Sequence, residues 1–137
     1  MKIKLGVIFG GESVEHEVSI ISALQAIQNL DKNKYEVVPI YIAKDRTWYT
    51  GHMLEDIESY KDFDNTKKFA KKVVLYKKGN KFLLQGTTGL FRKDITDIDI
   101  ILPVVHGICG NAIVSSAIVC LIISVSYALS ANMYVGL

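Results

Sequence analysis

The most informative absence in this 137-residue sequence is the lack of charge after Asp99. All 30 charged residues lie between Lys2 and Asp99, so the overall net charge of +2 describes neither part of the chain. A net charge this small does not indicate a nucleic-acid partner. Only two Pro and two Cys occur and half of the residues are hydrophobic, which excludes a disordered, collagen-like or disulfide-stapled chain.

Export and metal binding also lack support. Cys109 and Cys120 have ten residues between them and no third Cys beside them, which favours reduced, buried thiols over a metal site. The apolar run Leu5–Phe9 is shorter than the roughly 7–15 residues of a signal-peptide core. We therefore expect a cytoplasmic protein in which this chain holds no metal.

The first 42 residues predict a βαβ unit. Ile3–Phe9 is an apolar run closed by Gly10 and Gly11, which is typical of a parallel strand buried on both faces. Residues 15–30 contain no Gly or Pro and predict a helix with Ser13 as its N-cap. Tyr35–Ile42 predicts a second strand, in which Pro39 indicates an edge or a bulge.

The spacing of apolar residues predicts a helix with a broad buried side and one polar stripe. One apolar line is expected at Val14, Val18 and Ile21, and a second at Ile20, Leu24 and Ile27. The polar line is expected at Glu15, Ser19 and Ser22. His16 is interpreted as a first-turn surface or packing residue.

The remaining elements complete an α/β prediction, with a mainly parallel sheet flanked by helices and a β-hairpin insertion. We expect a short strand at Trp48 and Tyr49, mixed helix and loop over 54–70, a hairpin from 73–76 and 82–84, and a buried strand at Ile98–Val105 that ends at His106 and Gly107. The basic run Lys67, Lys68, Lys71, Lys72, Lys77 and Lys78 predicts a solvated face, with a phosphate or anionic-surface role as the alternative.

Two places could carry chemistry, both after predicted strands. The turn at residues 10–15 lacks the G-x-G-x-x-G and Walker A patterns, so it predicts no nucleotide site. Glu15 could bind a substrate ammonium group, or it could only stabilise the start of the helix. If the later strand lies parallel to the first, His106 lies at the same sheet edge as Glu15.

The segment GGESVEHEVS at residues 10–19 resembles the N-terminal signature of the D-alanine–D-alanine ligase family. Residues 37–42 with Trp48 and Tyr49 resemble that family's second strand and hairpin, and residues 97–107 resemble the strand that leads into its His-Gly element. The resemblance covers about residues 1–107 and includes the related D-alanyl-D-lactate and D-alanyl-D-serine ligases. It implies a Rossmann-like domain that precedes an ATP-grasp fold.

The resemblance also implies a function and a site. The family joins two D-alanine molecules with ATP and Mg²⁺ to make a peptidoglycan precursor, and a homodimer is expected. Glu15 corresponds to the glutamate that binds the ammonium group of the first D-alanine, and Val18 and His106 correspond to residues of the same subsite. Gly10, Gly11, Ser13 and Gly107 are expected to support the loops. ATP and Mg²⁺ belong to domains beyond these 137 residues, so we expect this chain to be a fragment that neither binds ATP productively nor ligates.

Residues 108–137 depart from the family pattern, since the family continues G-E-D-G where Gly110 alone survives. The uncharged segment 112–135 is longer than the roughly 20 residues that span a bilayer. Three interpretations stay open: a soluble helix at 113–123 with a strand at 125–128, an altered reading frame, or a membrane-active segment. A non-catalytic binding or assembly module and a membrane-associated protein are accordingly the alternatives to a ligase domain. No membrane partner is expected, because no Lys or Arg flanks either end of the uncharged segment.

Overall fold

A computed structural model describes residues 1–104 of the chain. His106, Gly107, both cysteines and the predicted elements after residue 107 lie outside the described residues. Within those residues the first part follows the predicted βαβ order: β1 (Ile3–Gly10), α1 (His16–Asn29) and β2 (Tyr35–Ile42). Then come β3 (Trp48–Thr50), 3-10 turns at His52–Glu55 and Ile57–Tyr60, α2 (Phe63–Thr66), β4 (Lys71–Lys78), β5 (Lys81–Gly86), β6 (Asp94–Ile98) and β7 (Ile100–Val104).

The described strands form one seven-stranded sheet with the order β6-β5-β4-β3-β2-β1-β7. β1 pairs in parallel with β2 on one side and with β7 on the other. The pairs from β2 to β6 are antiparallel, and the connection between β3 and β4 is the long one, since it holds both 3-10 turns and α2. The α/β class and the hairpin insertion are confirmed, while the sheet is mixed and is parallel only around β1.

β1 is buried on both faces, as its apolar run predicts. Leu5, Val7 and Phe9 pack into the core beneath α1, and Ile8 packs into a second core on the opposite face of the sheet. This alternation follows from the two-residue period of a strand. The second core contains Ile8, Ile40, Val73, Leu84 and Ile98, so it joins β1 to the hairpin strands.

The predicted strand at Ile98–Val105 is wrong in its continuity and in its burial. Asp99 separates β6 from β7, because its side chain and its backbone both bond to Lys4. The Lys4 N–H donates to Asp99 Oδ2 at 2.9 Å, and the Asp99 N–H donates to the Lys4 carbonyl at 2.9 Å. Ile98 is fully buried, but the five residues of β7 are half-buried at the end of the described sheet.

Because only Asp99 separates β6 from β7, the sheet has to curl. β6 and β7 are consecutive in the chain yet stand at opposite ends of the strand order. The sheet therefore curls until β6 lies against β1. A Cβ added to Gly6 of β1 would lie 3.0 Å from the Cδ1 atom of Ile98, so glycine permits this close approach.

Pro39 lies inside the sheet, and the edge or bulge that it predicted is wrong. β2 has β1 on one side and β3 on the other, and Pro39 stays in register with Val7 of β1. The Pro39 carbonyl accepts a hydrogen bond from Thr50 Oγ1 at 2.7 Å, so the missing N–H faces the β3 side. The ladder to β3 covers only Ile40–Ile42, so no bond is lost at Pro39.

The buried stripe of helix α1 is narrower than predicted. Ile20, Leu24 and Ile27 are buried as expected, together with Ala23. The second apolar line is wrong: Val14 is 98% exposed, Val18 52% and Ile21 50%. The line points away from the sheet because the helix has a single neighbouring layer in the described structure, and one layer buries only one stripe.

An ion-pair cluster joins β1 to the hairpin insertion. Asp97 on β6 accepts from Lys4 Nζ at 2.6 Å and from Lys81 Nζ at 2.8 Å. These hydrogen bonds to Lys4 and Lys81 hold the pKa of the Asp97 carboxyl well below its usual range. A carboxyl with a lowered folded-state pKa stabilises the fold above its unfolded pKa of about 4, and this stabilisation is lost as the pH falls further.

Asp97→Asn should therefore lower the midpoint of urea unfolding at pH 7 by removing the charge that both lysines face. The difference from the parent chain should shrink steadily between about pH 5 and pH 2, because the unfolded carboxyl takes up a proton there. Asp31→Asn, which lies outside every ion pair of residues 1–104, is the matched control. An Asp97→Asn effect that is the same at pH 2 and pH 7 would contradict this assignment.

Candidate functional site

The turn between β1 and α1 has a backbone that requires glycine. Gly10 has φ of 92° and Gly11 has φ of 101°, in the left-handed region where other residues are strained. A Cβ at Gly10 would lie 2.2 Å from the Ile42 carbonyl oxygen, whereas at Gly11 it would meet nothing within 4 Å. The Gly11 N–H donates to that same carbonyl at 2.8 Å, so the turn is fastened directly to the end of β2.

Ser13 does not cap the helix, contrary to the prediction. The N-cap position is Glu15, whose side chain makes no capping bond. The Ser13 hydroxyl accepts from the Glu15 N–H at 3.1 Å, and the Ser13 carbonyl accepts from the His16 N–H at 3.1 Å. The N-cap lies two residues later than expected because this local turn occupies the first N–H groups.

Ser19 links three elements at the site. The Gly10 N–H donates to Ser19 Oγ at 2.8 Å, and the Ser19 hydroxyl donates to the Val104 carbonyl at the end of β7. Ser19 is fully buried, so its predicted place on a polar stripe is wrong. The hydroxyl fixes α1 against the carboxyl ends of β1 and β7, two residues before His106.

His16 is buried beneath the same turn, which agrees with the packing part of its interpretation. The His16 Nδ1–H donates to the Gly11 carbonyl at 2.5 Å, and Nε2 is hydrogen bonded to the Tyr41 hydroxyl at 2.8 Å. Burial raises the pKa of Tyr41 to about 12 and also raises that of Tyr60, so both phenols stay neutral at neutral pH. Sequence spacing contains the signal for His16, since it lies four residues before buried Ile20.

The aromatic cluster around Tyr41 forms the floor of a pocket of about 390 Å³. Its polar lining comes from the β2–β3 loop, from Glu17 on α1 and from α2 with the residue after it, while neither Glu15 nor Val18 lines it. The lining residues are His16, Glu17, Ile20, Tyr41, Ala43, Lys44, Asp45, Tyr49, Tyr60, Phe63, Asp64 and Lys67. This pocket is therefore separate from the predicted subsite.

Three carboxylates surround the start of α1, and they differ in their partners. Glu12 pairs with Arg46 at 2.7 Å and Glu17 pairs with Lys44 at 2.9 Å, and these cations lower the pKa of both carboxyls. Glu15 is exposed, and its carboxylate takes part in no ion pair with another of the described residues. The turn therefore presents one available negative charge between two that are neutralised.

The structure brings some of the predicted site residues together. Val18 lies three residues after Glu15, so both side chains share one face of the first helical turn. β7 runs parallel to β1, which is the arrangement that the prediction for His106 required. His106 itself and Gly107 lie outside the described residues, so their roles stay predictions.

ATP and Mg²⁺ do not fit the described part of this chain. The N–H groups of Gly10, Gly11, Glu15 and His16 already donate within the fold, so they cannot cradle a phosphate. The carboxylate of Glu15, which no cation of residues 1–104 neutralises, would repel an anion at this turn. Among residues 1–104, no group of three His, Cys, Asp or Glu side chains could hold a metal ion.

Comparison with known proteins identifies the family. Residues 4–112 match the family model described as the D-ala D-ala ligase N-terminus. The chain belongs to this ligase family. This confirms the resemblance that was read from residues 10–19 and from the strands that follow.

Relatives support the assignment over most of the chain. The D-alanine–D-alanine ligase of Thermosipho melanesiensis is 46% identical over 110 residues, which are 80% of this chain and 29% of that protein. That of Caldicellulosiruptor bescii is 41% identical over 121 residues, with the same two shares. The chain thus spans about 29% of the length of these relatives.

Solved ligase structures share the fold. The VanG D-Ala:D-Ser ligase from Enterococcus faecalis has a TM-score of 0.57 at 31% identity, and the match covers 78% of this chain and 30% of the VanG chain. The D-alanine–D-alanine ligase from Coxiella burnetii has a TM-score of 0.62 at 25% identity, and the match covers 88% of this chain and 33% of the Coxiella chain. The chain has the fold of the N-terminal domain that precedes ATP-grasp in this family.

Ser19→Ala should destabilise the chain by about 1–3 kcal/mol, because it leaves the buried Gly10 N–H without its acceptor. Ser22→Ala, on the half-buried part of the same helix, should change the free energy of unfolding by less than about 0.5 kcal/mol. Urea unfolding followed by far-UV circular dichroism measures both. Equal effects of the two substitutions would show that the hydroxyl of Ser19 does not hold the turn.

Proposed function

We propose that this chain is the D-alanine-binding part of an ATP-dependent D-alanine–D-alanine ligase. Membership of the family supports the proposal, and the relatives carry that activity in their names. The observation that carries it is the carboxylate of Glu15, which forms no ion pair within residues 1–104 and lies between the two neutralised carboxylates Glu12 and Glu17. The ligase would act in the cytoplasm, as a homodimer, in making the cell wall precursor that determines cell shape.

Glu15 would bind the ammonium group of the first D-alanine. A carboxylate on a rigid turn offers a fixed anchor for a cationic amino group, and this leaves the carboxylate of D-alanine free to point away from the turn. The exposed side chain of Val18 on the same helical face offers an apolar contact for the methyl group. His106 would complete this subsite from the segment after β7.

The reaction itself would need further residues. In a ligase of this type ATP activates the carboxylate of one D-alanine, and the amine of a second attacks it. The described residues bind and orient the first amino acid, and they supply neither the nucleotide site nor the metal ligands. The identity of the second substrate, whether D-alanine, D-lactate or D-serine, is determined outside residues 1–104.

Binding of D-alanine to the 137-residue chain tests the role of Glu15. Glu15→Gln should weaken binding by about tenfold to hundredfold, because the amide oxygen still accepts from the ammonium group but the negative charge that strengthens this bond is lost. Binding is measured by titrating D-alanine against the ¹⁵N-labelled chain and following amide chemical shifts, with L-alanine as the stereochemical control.

Glu12→Gln and Glu17→Gln are the matched controls, because each removes from the same turn a negative charge that already has an ion-pair partner. Both should leave the affinity for D-alanine within about twofold of the parent chain, since exposed ion pairs contribute little. Equal weakening by all three substitutions would show that the turn attracts cations only through its total charge. An unchanged affinity for Glu15→Gln would refute the proposed role.

A further inference from the structure

The loop between β5 and β6 exposes two large apolar side chains next to each other. Leu90 is 92% exposed and Phe91 is 83% exposed, and they follow Gly89, whose φ is 109°. Two adjacent apolar side chains this far from any packing partner are unusual at a loop tip, where polar residues are the norm. The D-alanine subsite proposed above makes no use of them.

Two backbone hydrogen bonds fix where this loop lies. The Gly86 N–H donates to the Lys93 carbonyl at 3.0 Å, which closes the loop at its base. The Thr87 N–H donates to the Lys72 carbonyl at 3.0 Å, which places the loop beside the start of β4. The tip therefore lies at the opposite end of the hairpin from the turn at Gly79.

Four cations accompany the apolar tip at this end of the hairpin. Arg92 and Lys93 follow Phe91 directly, and Lys71 and Lys72 lie on the adjoining start of β4, all of them exposed. None of the four forms an ion pair with another residue in the described range. We call these six residues the loop patch: Lys71, Lys72, Leu90, Phe91, Arg92 and Lys93.

Asp45 lies near Lys72, while Asp94, the acidic residue next to the loop patch in the sequence, has other partners. Asp94 follows Lys93, but its Oδ1 accepts hydrogen bonds from the Tyr76 hydroxyl at 2.7 Å and from Gln85 Nε2 at 3.2 Å. Elsewhere on the hairpin Lys81 pairs with Asp97, whereas Lys77 and Lys78 form no ion pair with another of residues 1–104 and have no exposed apolar tip beside them. The loop patch therefore combines an exposed apolar tip with an excess of positive charge.

This combination selects among the possible occupants. A second copy of the same patch would bring like charges together, which disfavours self-association. A small anion would engage the cations but would leave Leu90 and Phe91 in water. An anionic bilayer offers both complements, because its headgroups attract Lys and Arg and its acyl boundary accepts apolar side chains.

We propose that the loop patch docks this domain reversibly on an anionic lipid surface. Leu90 and Phe91 enter the boundary between headgroups and acyl chains, while Arg92 and Lys93 next to them face the lipid phosphates. Lys71 and Lys72, which project to opposite faces of β4, add to the positive potential around the tip. This assigns a role to part of the basic run whose alternative interpretation was an anionic surface. The proposal is independent of Glu15, since the loop patch and the D-alanine subsite share no residue.

Co-sedimentation with vesicles tests the proposal on the complete 137-residue chain. The chain should bind vesicles of equal parts phosphatidylglycerol and phosphatidylcholine, and it should bind pure phosphatidylcholine much more weakly. Added salt should release it. Failure to bind the anionic vesicles, or equal binding to both kinds, would overturn the proposal.

Two double variants locate the contact. Arg92→Gln with Lys93→Gln should lower the partition coefficient by about twenty-fivefold, roughly fivefold for each cation removed. Leu90→Ser with Phe91→Ser should lower it at least as much, since the apolar insertion is lost. Segment 112–135 is intact in both, so any contribution from it is constant.

The matched control is Lys77→Gln with Lys78→Gln, which removes the same charge at the opposite end of the hairpin. It should change vesicle binding by less than about twofold, and circular dichroism should show that every variant is folded. Equal loss in the control and in Arg92→Gln with Lys93→Gln would reduce the effect to net charge and overturn the proposal. Binding to single-stranded RNA that these loop variants abolish, without any vesicle binding, would assign the patch to nucleic acid instead.

Discussion

The buried hydroxyl of Ser19 holds the candidate site together. It accepts from the Gly10 N–H at the end of β1 and donates to the Val104 carbonyl at the end of β7, so one side chain fixes a helix against two parallel strands. The position of Glu15 at the start of α1 depends on this junction, because Ser19 fixes the first turns of the helix against the ends of β1 and β7. An unsatisfied N–H at this depth would be costly, so the junction is stable only with a hydroxyl at residue 19.

The electrostatics of the turn decide what it can bind. Helix starts usually favour anions, because free N–H groups and the helix dipole attract negative charge. Here several of those N–H groups donate within the fold, and the carboxylates of Glu12, Glu15 and Glu17 reverse the sign of the local field. Lys44 and Arg46 neutralise two of the three, so the turn suits one small cation such as an ammonium group.

Much of this fold could be predicted from the sequence, because its signals are local. The apolar run of β1, the Gly pair and the alternating hairpin strands each reflect a periodicity or a turn requirement within a few residues. The motif at residues 10–19 identified the family for a similar reason, since its glycines and its Glu15 serve the turn directly. A family model over residues 4–112 confirms that identification.

The errors arose where distant parts of the chain decide the outcome. Ser19 was placed on a polar stripe, because nothing in the sequence near it shows that Gly10 and Val104 need a hydroxyl. Val14 and Val18 were expected to be buried, because their spacing cannot show on how many sides the helix has neighbours. The break at Asp99 depends on Lys4, which lies 95 residues away in the chain.

The most direct test of the account is the ¹³C chemical shift of the Glu15 side-chain carboxyl, followed at pH 7 as D-alanine is added. If Glu15 holds the ammonium group, this signal should move until it saturates, because a positive charge then lies beside the carboxylate. The carboxyl signals of Glu12 and Glu17 should stay in place. A Glu15 signal that D-alanine leaves unchanged, with shifts appearing instead around Tyr41 and Lys44, would contradict the account and place the ligand in the aromatic pocket.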